Sequence, residues 1–377
     1  MKRILSLYIS LCVLLSGCAR QAEMEWSARS SPVQIQGDEQ SQANEKADPG
    51  NEPVSNGLVL DTPENHGVDS AMLESLQTAI AEAEEPEVLA MVIVRDGAII
   101  DEYYSQQYDE ASLFYLASCT KTFMGALIGI AIDEGLIRGV DAKLSEYFPA
   151  LADETDGKEE ITLEHLLTHT SGIEWDEWNG GPMFHELQQA KNPVAFVLDQ
   201  PMAAAPGSTF NYNSGGSHLL SAVLEKATGQ SAFDFARAHL FEYLGMDSVN
   251  WPADPQGITD GSSSIEMTAR DAAKFGQLYL NGGRWQDRQV ISREWVEQST
   301  SVQSAGTGGR TGRYGYQWWI RSFGNDNYDT FFAMGGGGHY IFVVPELALV
   351  VVMSCYNHGD SYAPWPYFTD YILPACE

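Results

Sequence analysis

Apolar residues are spaced differently in successive parts of the chain, and this spacing predicts the order of its helices and strands. The spacing over residues 68–85 is helical. Residues 89–104 form two apolar runs on either side of Asp96-Gly97, a dipeptide typical of the tight turn in a β-hairpin. An apolar helix is predicted over residues 118–135, where a glycine ends it. Residues 141–300 are mostly helical or looped, with many Gly and Pro breaks.

Four late segments are rich in β-branched and aromatic residues and are predicted to be strands. They are Tyr314–Ile320, Tyr328–Met334, Tyr340–Pro345 and Leu347–Cys355. Strands near both ends of the chain with helices between them predict an α+β fold. An antiparallel sheet would be built from both chain ends and flanked by helices, with the middle of the chain as a helical insert. A cleft is expected where the two parts meet.

The first residues have the composition of a secretory signal. A short basic start precedes an apolar run over residues 4–15, which is too short to span a bilayer comfortably. The run leads into Leu-Ser-Gly followed by Cys18, a sequence that resembles the processing box of bacterial lipoproteins. The resemblance implies that residues 1–17 are a signal peptide and that lipid on Cys18 anchors the protein to a membrane. The alternative is an ordinary signal peptide followed by a chance cysteine.

Residues 18–58 differ in composition from the rest of the chain. Gln, Glu, Ser, Asn, Pro and Gly dominate this stretch, so it cannot bury enough apolar surface to offset its chain entropy. We expect a flexible acidic tether here and a folded domain over residues 59–377. With lipid on Cys18, the protein would be held at the bacterial cell envelope, facing the periplasm or the exterior. The sequence leaves open which membrane holds it.

The charge balance excludes one class of function. The chain has 52 acidic residues against 21 Lys and Arg, for a net charge of −31. A protein that binds nucleic acid by neutralising phosphates needs a basic face, so nucleic acid is not an expected partner. The 44% content of hydrophobic residues, including 9 Trp, is sufficient for a large buried core.

Ser118 and Lys121 form a candidate nucleophile and base. Residues three apart at the start of a helix share one face, so the lysine amine can reach the serine hydroxyl. A serine hydroxyl needs a base to become a good nucleophile, and a desolvated lysine can serve because burial lowers its pKa. Ser-x-x-Lys is common by chance, however. The alternative is Ser118 as a helix cap and Lys121 as a solvated residue.

A second candidate group lies about ninety residues later, in the stretch from Pro206 to Gly216. It contains Tyr212-Asn213-Ser214 and precedes an apolar helix. A tyrosine in a cleft beside a lysine can lose its proton more easily, so Tyr212 could act as acid or base.

The order of these motifs resembles that of the serine β-lactamase and penicillin-binding-protein family. The nearer likeness is to its class C and esterase branch, which includes the 6-aminohexanoate-dimer hydrolases and has S-x-x-K followed by Y-x-N or Y-x-S. The resemblance covers residues 60–377. Further matching stretches are Leu166–Gly172, Met267–Asp271, Tyr314–Trp319 and Tyr340–Glu346 with the glycine-rich turn before it.

The resemblance implies a role for each matched residue. Ser118 would attack a carbonyl and form an acyl-enzyme, while Lys121 and Tyr212 would share the proton transfers. Ser214 stands where β-lactamases usually have Asn and could hydrogen-bond Lys121 or the substrate. No metal or other cofactor is implied, and the expected partners are small ester or amide substrates.

The third motif of that family, K-T-G, has no basic match here. The corresponding region is Met334–His339, which contains four glycines. Its backbone could still supply the second N–H of an oxyanion hole, from Gly336 or, with the alignment shifted by one, from Gly337. His339 could contact the substrate or pack structurally.

The altered motif bears on the substrate, because the K-T-G side chains of the lactamases hold the carboxylate of the antibiotic. Arg310 or Arg313 could take over that task. Without such a cation, an ester or amide hydrolase is favoured over a β-lactamase. A D-alanyl-D-alanine carboxypeptidase and a penicillin- or peptide-binding sensor that acylates without turnover are the alternatives.

Several other residues have a structural alternative that we favour. His165 and His169 have the spacing of a helical zinc pair but lack the intervening Glu. Cys119 is expected to point into the core. An oxidising compartment would permit Cys355 and Cys376 to pair. Core packing is likewise favoured over a lining role for four tryptophans, which are Trp175, Trp178, Trp318 and Trp319.

Overall fold

The computed structural model describes residues 57–377, apart from 84–86, 155, 178–180, 310 and 358. The predicted signal peptide, Cys18 and nearly all of the predicted tether lie outside the described residues. In the part that is described, no helix combines the length and apolarity needed to cross a bilayer.

The central element is a nine-stranded sheet built from both ends of the described chain. All neighbouring strands are antiparallel except the first pair. The order across the sheet is Val59–Leu60, Ala98–Tyr104, Glu87–Arg95, Leu349–Tyr356, His339–Val344, Tyr328–Gly335, Trp319–Phe323, Gly312–Tyr314 and Ser304–Gly308. The sheet and its flanking helices confirm the predicted α+β class. Two small ribbons pair Phe114–Tyr115 with Glu266–Met267 and Arg284–Trp285 with Arg288–Gln289.

Helices cover both faces of the sheet and form the middle of the chain. The α-helices are Ser70–Glu82, Thr120–Asp133, Leu163–Leu167, Met183–Gln189, Pro193–Leu198, Ser214–Thr228, Ala232–Ala236, Glu242–Leu244, Ala269–Leu280, Arg293–Ser299, Trp365–Tyr367 and Leu373–Ala375. Two π-helical segments are Arg237–Phe241 and Phe368–Ile372. Short 3-10 turns are Pro63–His66, Ala117–Cys119, Leu144–Glu146, Pro149–Asp153, Lys158–Glu160 and Pro345–Leu347.

The central strands are buried on both faces, which explains their unbroken apolar sequences. In Glu87–Arg95, Val92 and Val94 face a core that they share with the middle helices. Met91 and Ile93 point to the opposite face, where the first and last helices of the domain cover them. The sheet therefore separates two hydrophobic cores.

The predicted strand Tyr314–Ile320 is interrupted in the structure. Gly312–Tyr314 and Trp319–Phe323 are paired strands, and the residues between them leave the sheet. Gln317, at φ 62°, directs its side chain into the helical layer. There it donates to the carbonyl of Leu167 at 2.9 Å and accepts from Ser217 Oγ at 2.8 Å. A buried side chain with these partners joins three segments, and this outweighs the local preference for a continuous strand.

Gly129 allows another helix to approach Thr120–Asp133 closely. A Cβ added at Gly129 would overlap the indole ring of Trp295. Glycine is unfavourable within a helix because of its backbone entropy, so its presence here reflects the space that Trp295 occupies.

We therefore expect Gly129→Ala to carry an overpacking cost of about 1–3 kcal/mol, because a rigid ring must shift to admit the methyl group. After the helix-propensity gain of about 1 kcal/mol is subtracted, the domain should lose up to about 2 kcal/mol of stability. The measurement is thermal unfolding followed by circular dichroism. Gly216→Ala is the matched control, since this buried helical glycine has no atom closer than 3.6 Å to an added Cβ. An equal or higher Tm for Gly129→Ala than for the wild type would contradict the expectation.

Candidate active site

Ser118 lies in the 3-10 turn Ala117–Cys119, directly before the helix Thr120–Asp133. The start of a helix carries partial positive charge, so this position favours negative charge developing near the serine. Ala117 adopts φ 46°, a left-handed conformation that is uncommon for a residue with a side chain. The turn is held against Gly335, where an added Cβ would overlap the carbonyl oxygen of Leu116. Ser118 is partly exposed.

The Lys121 amine lies beside Ser118 and is almost completely removed from water. Its Nζ is 3.0 Å from Ser118 Oγ and 2.8 Å from the carbonyl oxygen of Ser262, and the residue is 1% exposed. Burial lowers the pKa of Lys121 to about 8, while the charges of Glu177 and Asp260 act in the opposite direction. Loss of the proton from this amine is therefore easier than from an exposed lysine, which favours a role as a base.

Tyr212 completes the group on the other side of Ser118. Its phenol is hydrogen-bonded to Ser118, and its ring centroid is 5.0 Å from Lys121 Nζ. Burial raises the pKa of Tyr212 far above its ordinary value, and the charge of Glu177 adds to the rise, whereas the bond to Ser118 opposes it. This differs from the expectation that the neighbouring lysine would favour loss of the proton, because desolvation dominates. Tyr212 is therefore suited to donating a proton, and Lys121 to accepting one.

His169 fixes the backbone on both sides of Tyr212. The N–H of Asn211 donates to the His169 carbonyl at 2.7 Å, and the N–H of Asn213 donates to His169 Nδ1 at 3.2 Å. Since Nδ1 accepts, Nε2 carries the proton and can donate to the Tyr314 hydroxyl, 3.2 Å away. The structural role favoured for His169 is consistent with these bonds. His165 Nδ1 accepts from the Thr162 N–H within a capping box.

Ser214 contacts Glu177 rather than Lys121 in the described structure. Ser214 Oγ donates to Glu177 Oε1 at 2.7 Å, and its N–H donates to Oε2 at 3.0 Å. The indole N–H of Trp175 also donates to Oε2. Ser214 begins the helix Ser214–Thr228, so the Glu177 carboxylate lies at a helix N-terminus, where negative charge is stabilised.

These groups line a cavity of about 350 Å³. Its lining comprises Ser118, Glu177, Phe184, Tyr212, Ser214, Met334, Gly336, Gly359, Asp360, Ser361 and Tyr362. An added Cβ at Gly336 would meet no atom within 4 Å, so its backbone is open to a bound molecule. The Gly337 N–H donates to Ser361 Oγ at 3.3 Å. Gly336 therefore remains the preferred candidate for the predicted oxyanion donor.

Three predicted contact residues either do not line this cavity or fall outside the described residues. His339 is 2% exposed and does not line the cavity, and burial lowers its pKa to about 4. Arg313 is exposed and also absent from the lining, and Arg310 is outside the described residues.

The remaining described candidate residues lie in buried environments that indicate structural roles. Cys119 is fully buried with its Sγ 3.6 Å from the His339 carbonyl oxygen, and burial raises the pKa of its thiol. Cys355 and Cys376 are both buried free thiols. Trp318 and Trp319 are core residues at 0% and 2% exposure, and Trp178 is outside the described residues. Across the described chain, no group of three or more His, Cys, Asp or Glu is arranged to hold a metal ion.

The sequence reasoning missed Glu177, Ser262 and the segment 359–362. Ser262 acts through its backbone carbonyl, which any residue could supply. Glu177 lies in a stretch without regular spacing, so no local signal separates it from an ordinary surface acid. The segment 359–362 reaches the cavity only because the C-terminal strands fold back beside the glycine-rich turn.

Comparison with known protein families gives a match over most of the chain. The model of the Beta-lactamase family matches residues 75–363. The chain belongs to the beta-lactamase family. As an enzyme it is a serine hydrolase of that family.

Individual relatives are distant. The chain is 24% identical to the 6-aminohexanoate-dimer hydrolase of Paenarthrobacter ureafaciens, over 70% of this chain and 71% of the relative. It is 30% identical to esterase EstB of Burkholderia gladioli, over 44% of this chain and 47% of the relative. The octameric penicillin-binding protein homologue from Pyrococcus abyssi shares the fold with a TM-score of 0.63 and 21% identity, covering 80% of this chain and 76% of that one.

The pKa of Lys121 makes a prediction about pH. If the neutral amine is the base, kcat/KM should rise with pH and level off above the Lys121 pKa of about 8, because deprotonation produces the active form. The measurement is kcat/KM for an uncharged nitrophenyl ester at constant ionic strength, corrected for spontaneous hydrolysis. A profile that falls as pH rises through this region would show that the charged lysine is required instead.

Proposed function

We propose that this protein hydrolyses small esters or amides through an acyl-enzyme on Ser118. The observation that carries the proposal is the distance of 3.0 Å between Lys121 Nζ and Ser118 Oγ at the edge of an open cavity. Hydroxyl and amine are within hydrogen-bond reach, and burial lowers the pKa of the amine from its ordinary value to about 8.

In the first half of the reaction, Ser118 Oγ attacks the carbonyl carbon while neutral Lys121 accepts the hydroxyl proton. The resulting tetrahedral oxyanion would be stabilised by the N–H groups of Ser118 and Gly336. Collapse of the intermediate breaks the bond to the leaving group, which takes a proton from the Tyr212 phenol. The Lys121 ammonium then returns its proton to the Tyr212 phenolate, which restores the neutral amine and the phenol for the second half.

In the second half, a water molecule attacks the Ser118 ester. Lys121 accepts a proton from the water, and the second tetrahedral intermediate collapses to release the acid. The proton then returns to Ser118 Oγ, which restores the free enzyme. Each half thus uses the same base and the same oxyanion donors, as in other acyl-enzyme hydrolases.

The cavity favours esters and amides over anionic β-lactams. Among its described lining residues, the only side chains with a formal charge are the carboxylates of Glu177 and Asp360. Neither the glycine-rich turn nor Arg313 supplies a cation for a substrate carboxylate. An unpaired carboxylate in this environment would be poorly held. Relatives named as an aminohexanoate-dimer hydrolase and an esterase are consistent with this choice.

Attachment to the cell envelope is part of the proposal and rests on the sequence pattern of the first eighteen residues. Lipid on Cys18 would hold the catalytic domain at a membrane, with the following polar residues as a spacer.

We expect Ser118→Ala to lose turnover by several orders of magnitude, because the nucleophilic oxygen is removed. The measurement is hydrolysis of a panel of nitrophenyl esters, nitrocefin and short amides, together with intact mass after treatment with a fluorophosphonate. The wild type should gain one adduct and the variant none. Ser75→Ala, an exposed helix position away from the cavity, is the control.

Near-normal hydrolysis by Ser118→Ala would defeat the proposal. A wild type that accumulates a stable adduct with penicillin and releases no product from any ester or amide would support the sensor alternative. Rapid turnover of nitrocefin with poor ester hydrolysis would identify a β-lactamase.

The oxyanion role of Gly336 is testable by removing its N–H. Gly336→Pro should lower kcat by about 10²–10³-fold, the usual loss for one oxyanion donor. Gly336→Ala keeps the N–H, and its methyl group enters open space, so kcat should stay near the wild-type value. Both are measured with a small acetate ester that does not crowd the added methyl group. Equal activity of the two variants would exclude this donor.

A further inference from the structure

Glu177 is an unusual carboxylate because it is fixed in place beside the nucleophile without a cationic partner. Both of its oxygens accept hydrogen bonds from Ser214, and Oε2 also accepts from Trp175. Among the described residues, no Lys, Arg or His forms an ion pair with it. The neutral donors hold the carboxylate in one orientation without cancelling its charge.

The field of Glu177 reaches the catalytic groups, because its charge raises the pKa of both Lys121 and Tyr212. The side chain is partly exposed and lines the same cavity as Ser118. Any substrate whose carbonyl carbon reaches Ser118 Oγ therefore lies close to this carboxylate. Asp360 lines the cavity from the C-terminal segment and adds a second negative charge.

Lys121 offsets these two charges only in part, because it is one cation and does not line the cavity. Its amine is 1% exposed and lies behind Ser118, where it is bonded to Ser118 Oγ and the Ser262 carbonyl. A bound molecule therefore contacts the carboxylates, whereas the amine is reached only through the serine. The cavity should attract positive charge and repel negative charge.

We propose that the enzyme selects esters or amides that carry an ammonium or guanidinium group on the acyl or leaving side, with Glu177 as the specificity-determining residue. This deepens the proposed function and depends on it. The cation would lie against Glu177 while the carbonyl is held at Ser118, so the charge contact positions the scissile bond. Exclusion of carboxylate-bearing substrates follows from the same charge.

Glu177→Gln is a suitable variant because its side chain can keep the observed bonds. The Gln carbonyl oxygen can accept from the N–H groups of Ser214 and Trp175. The Gln amide can donate to Ser214 Oγ, since a hydroxyl both donates and accepts. Only the charge is then lost.

The experiment compares matched substrates of charge +1, 0 and −1. For the leaving group, these are butyrylthiocholine, S-(3,3-dimethylbutyl) thiobutyrate and S-butyryl-3-mercaptopropanoate. For the acyl group, they are the 4-nitroanilides of β-alanine, propanoic acid and succinic acid. Values of kcat/KM are measured for the wild type, Glu177→Gln, Asp360→Asn and the control Glu174→Gln, which changes an exposed carboxylate outside the cavity lining.

For the wild type, we expect kcat/KM to be highest for the cationic substrate, lower for the neutral one and lowest for the anionic one in at least one of the two sets. Glu177→Gln should reduce the ratio of cationic to neutral kcat/KM by about tenfold, a scale between the attraction of two unit charges in bulk water and that near a protein surface. The same variant should also raise kcat/KM for the anionic substrates. Asp360→Asn should shift the ratio in the same direction by less, since Asp360 is exposed. Glu174→Gln should leave the ratio unchanged.

A merely structural effect of Glu177→Gln would lower the rates of all substrates together, and unchanged ratios in both sets would overturn the inference. So would a wild type that prefers the anionic members or fails to hydrolyse the cationic ones. Labelling of Ser118 by an uncharged fluorophosphonate separates this failure from failure of the proposed function. A wild type that is labelled but shows no charge preference refutes only the inference, whereas one that is neither labelled nor active refutes both.

Discussion

The chemistry of this site depends on the removal of one lysine amine from water. Desolvation destabilises the charged form of Lys121 and brings its pKa to about 8, against the opposing charges of Glu177 and Asp260. The Ser262 carbonyl and Ser118 hydroxyl satisfy the amine where solvent cannot reach it. A solvated lysine would stay charged at neutral pH and could not accept the serine proton. The balance between burial and two carboxylates thus sets the strength of the base.

Exclusion of water from the Lys121 amine requires close packing around the helix Thr120–Asp133. Phe123 stacks on Phe275 at 3.9 Å between ring centroids, which ties this helix to the one that covers the sheet. Gly125 permits close approach of the chain near Gln317, whose side chain is bonded to neighbouring helical segments. Because the helix is held on several sides, Ser118 at its beginning has a defined position relative to the glycine-rich turn.

Glu177 connects the proton chemistry with recognition. Its charge opposes the deprotonation of both Lys121 and Tyr212, and the same charge faces the space in which a substrate must lie. The carboxylate is stabilised by the helix that begins at Ser214 rather than by a cation, so it keeps its field in the cavity. Under the proposed function, the strength of the base and the charge of the preferred substrate would be coupled through this one side chain.

The sequence by itself determined those features that have a local signal. These include the hairpin at Asp96-Gly97, three of the four late strands and the shared face of Ser118 and Lys121. Turn chemistry, strand composition and helical periodicity all depend on near neighbours. The tertiary structure alone decided what distant residues do to one another. Desolvation reversed the expected pKa shift of Tyr212, Glu177 came beside Ser214, and Cys355 and Cys376 stayed free. Burial, charge and contact at these positions arise from segments far apart in the chain, which no local pattern encodes.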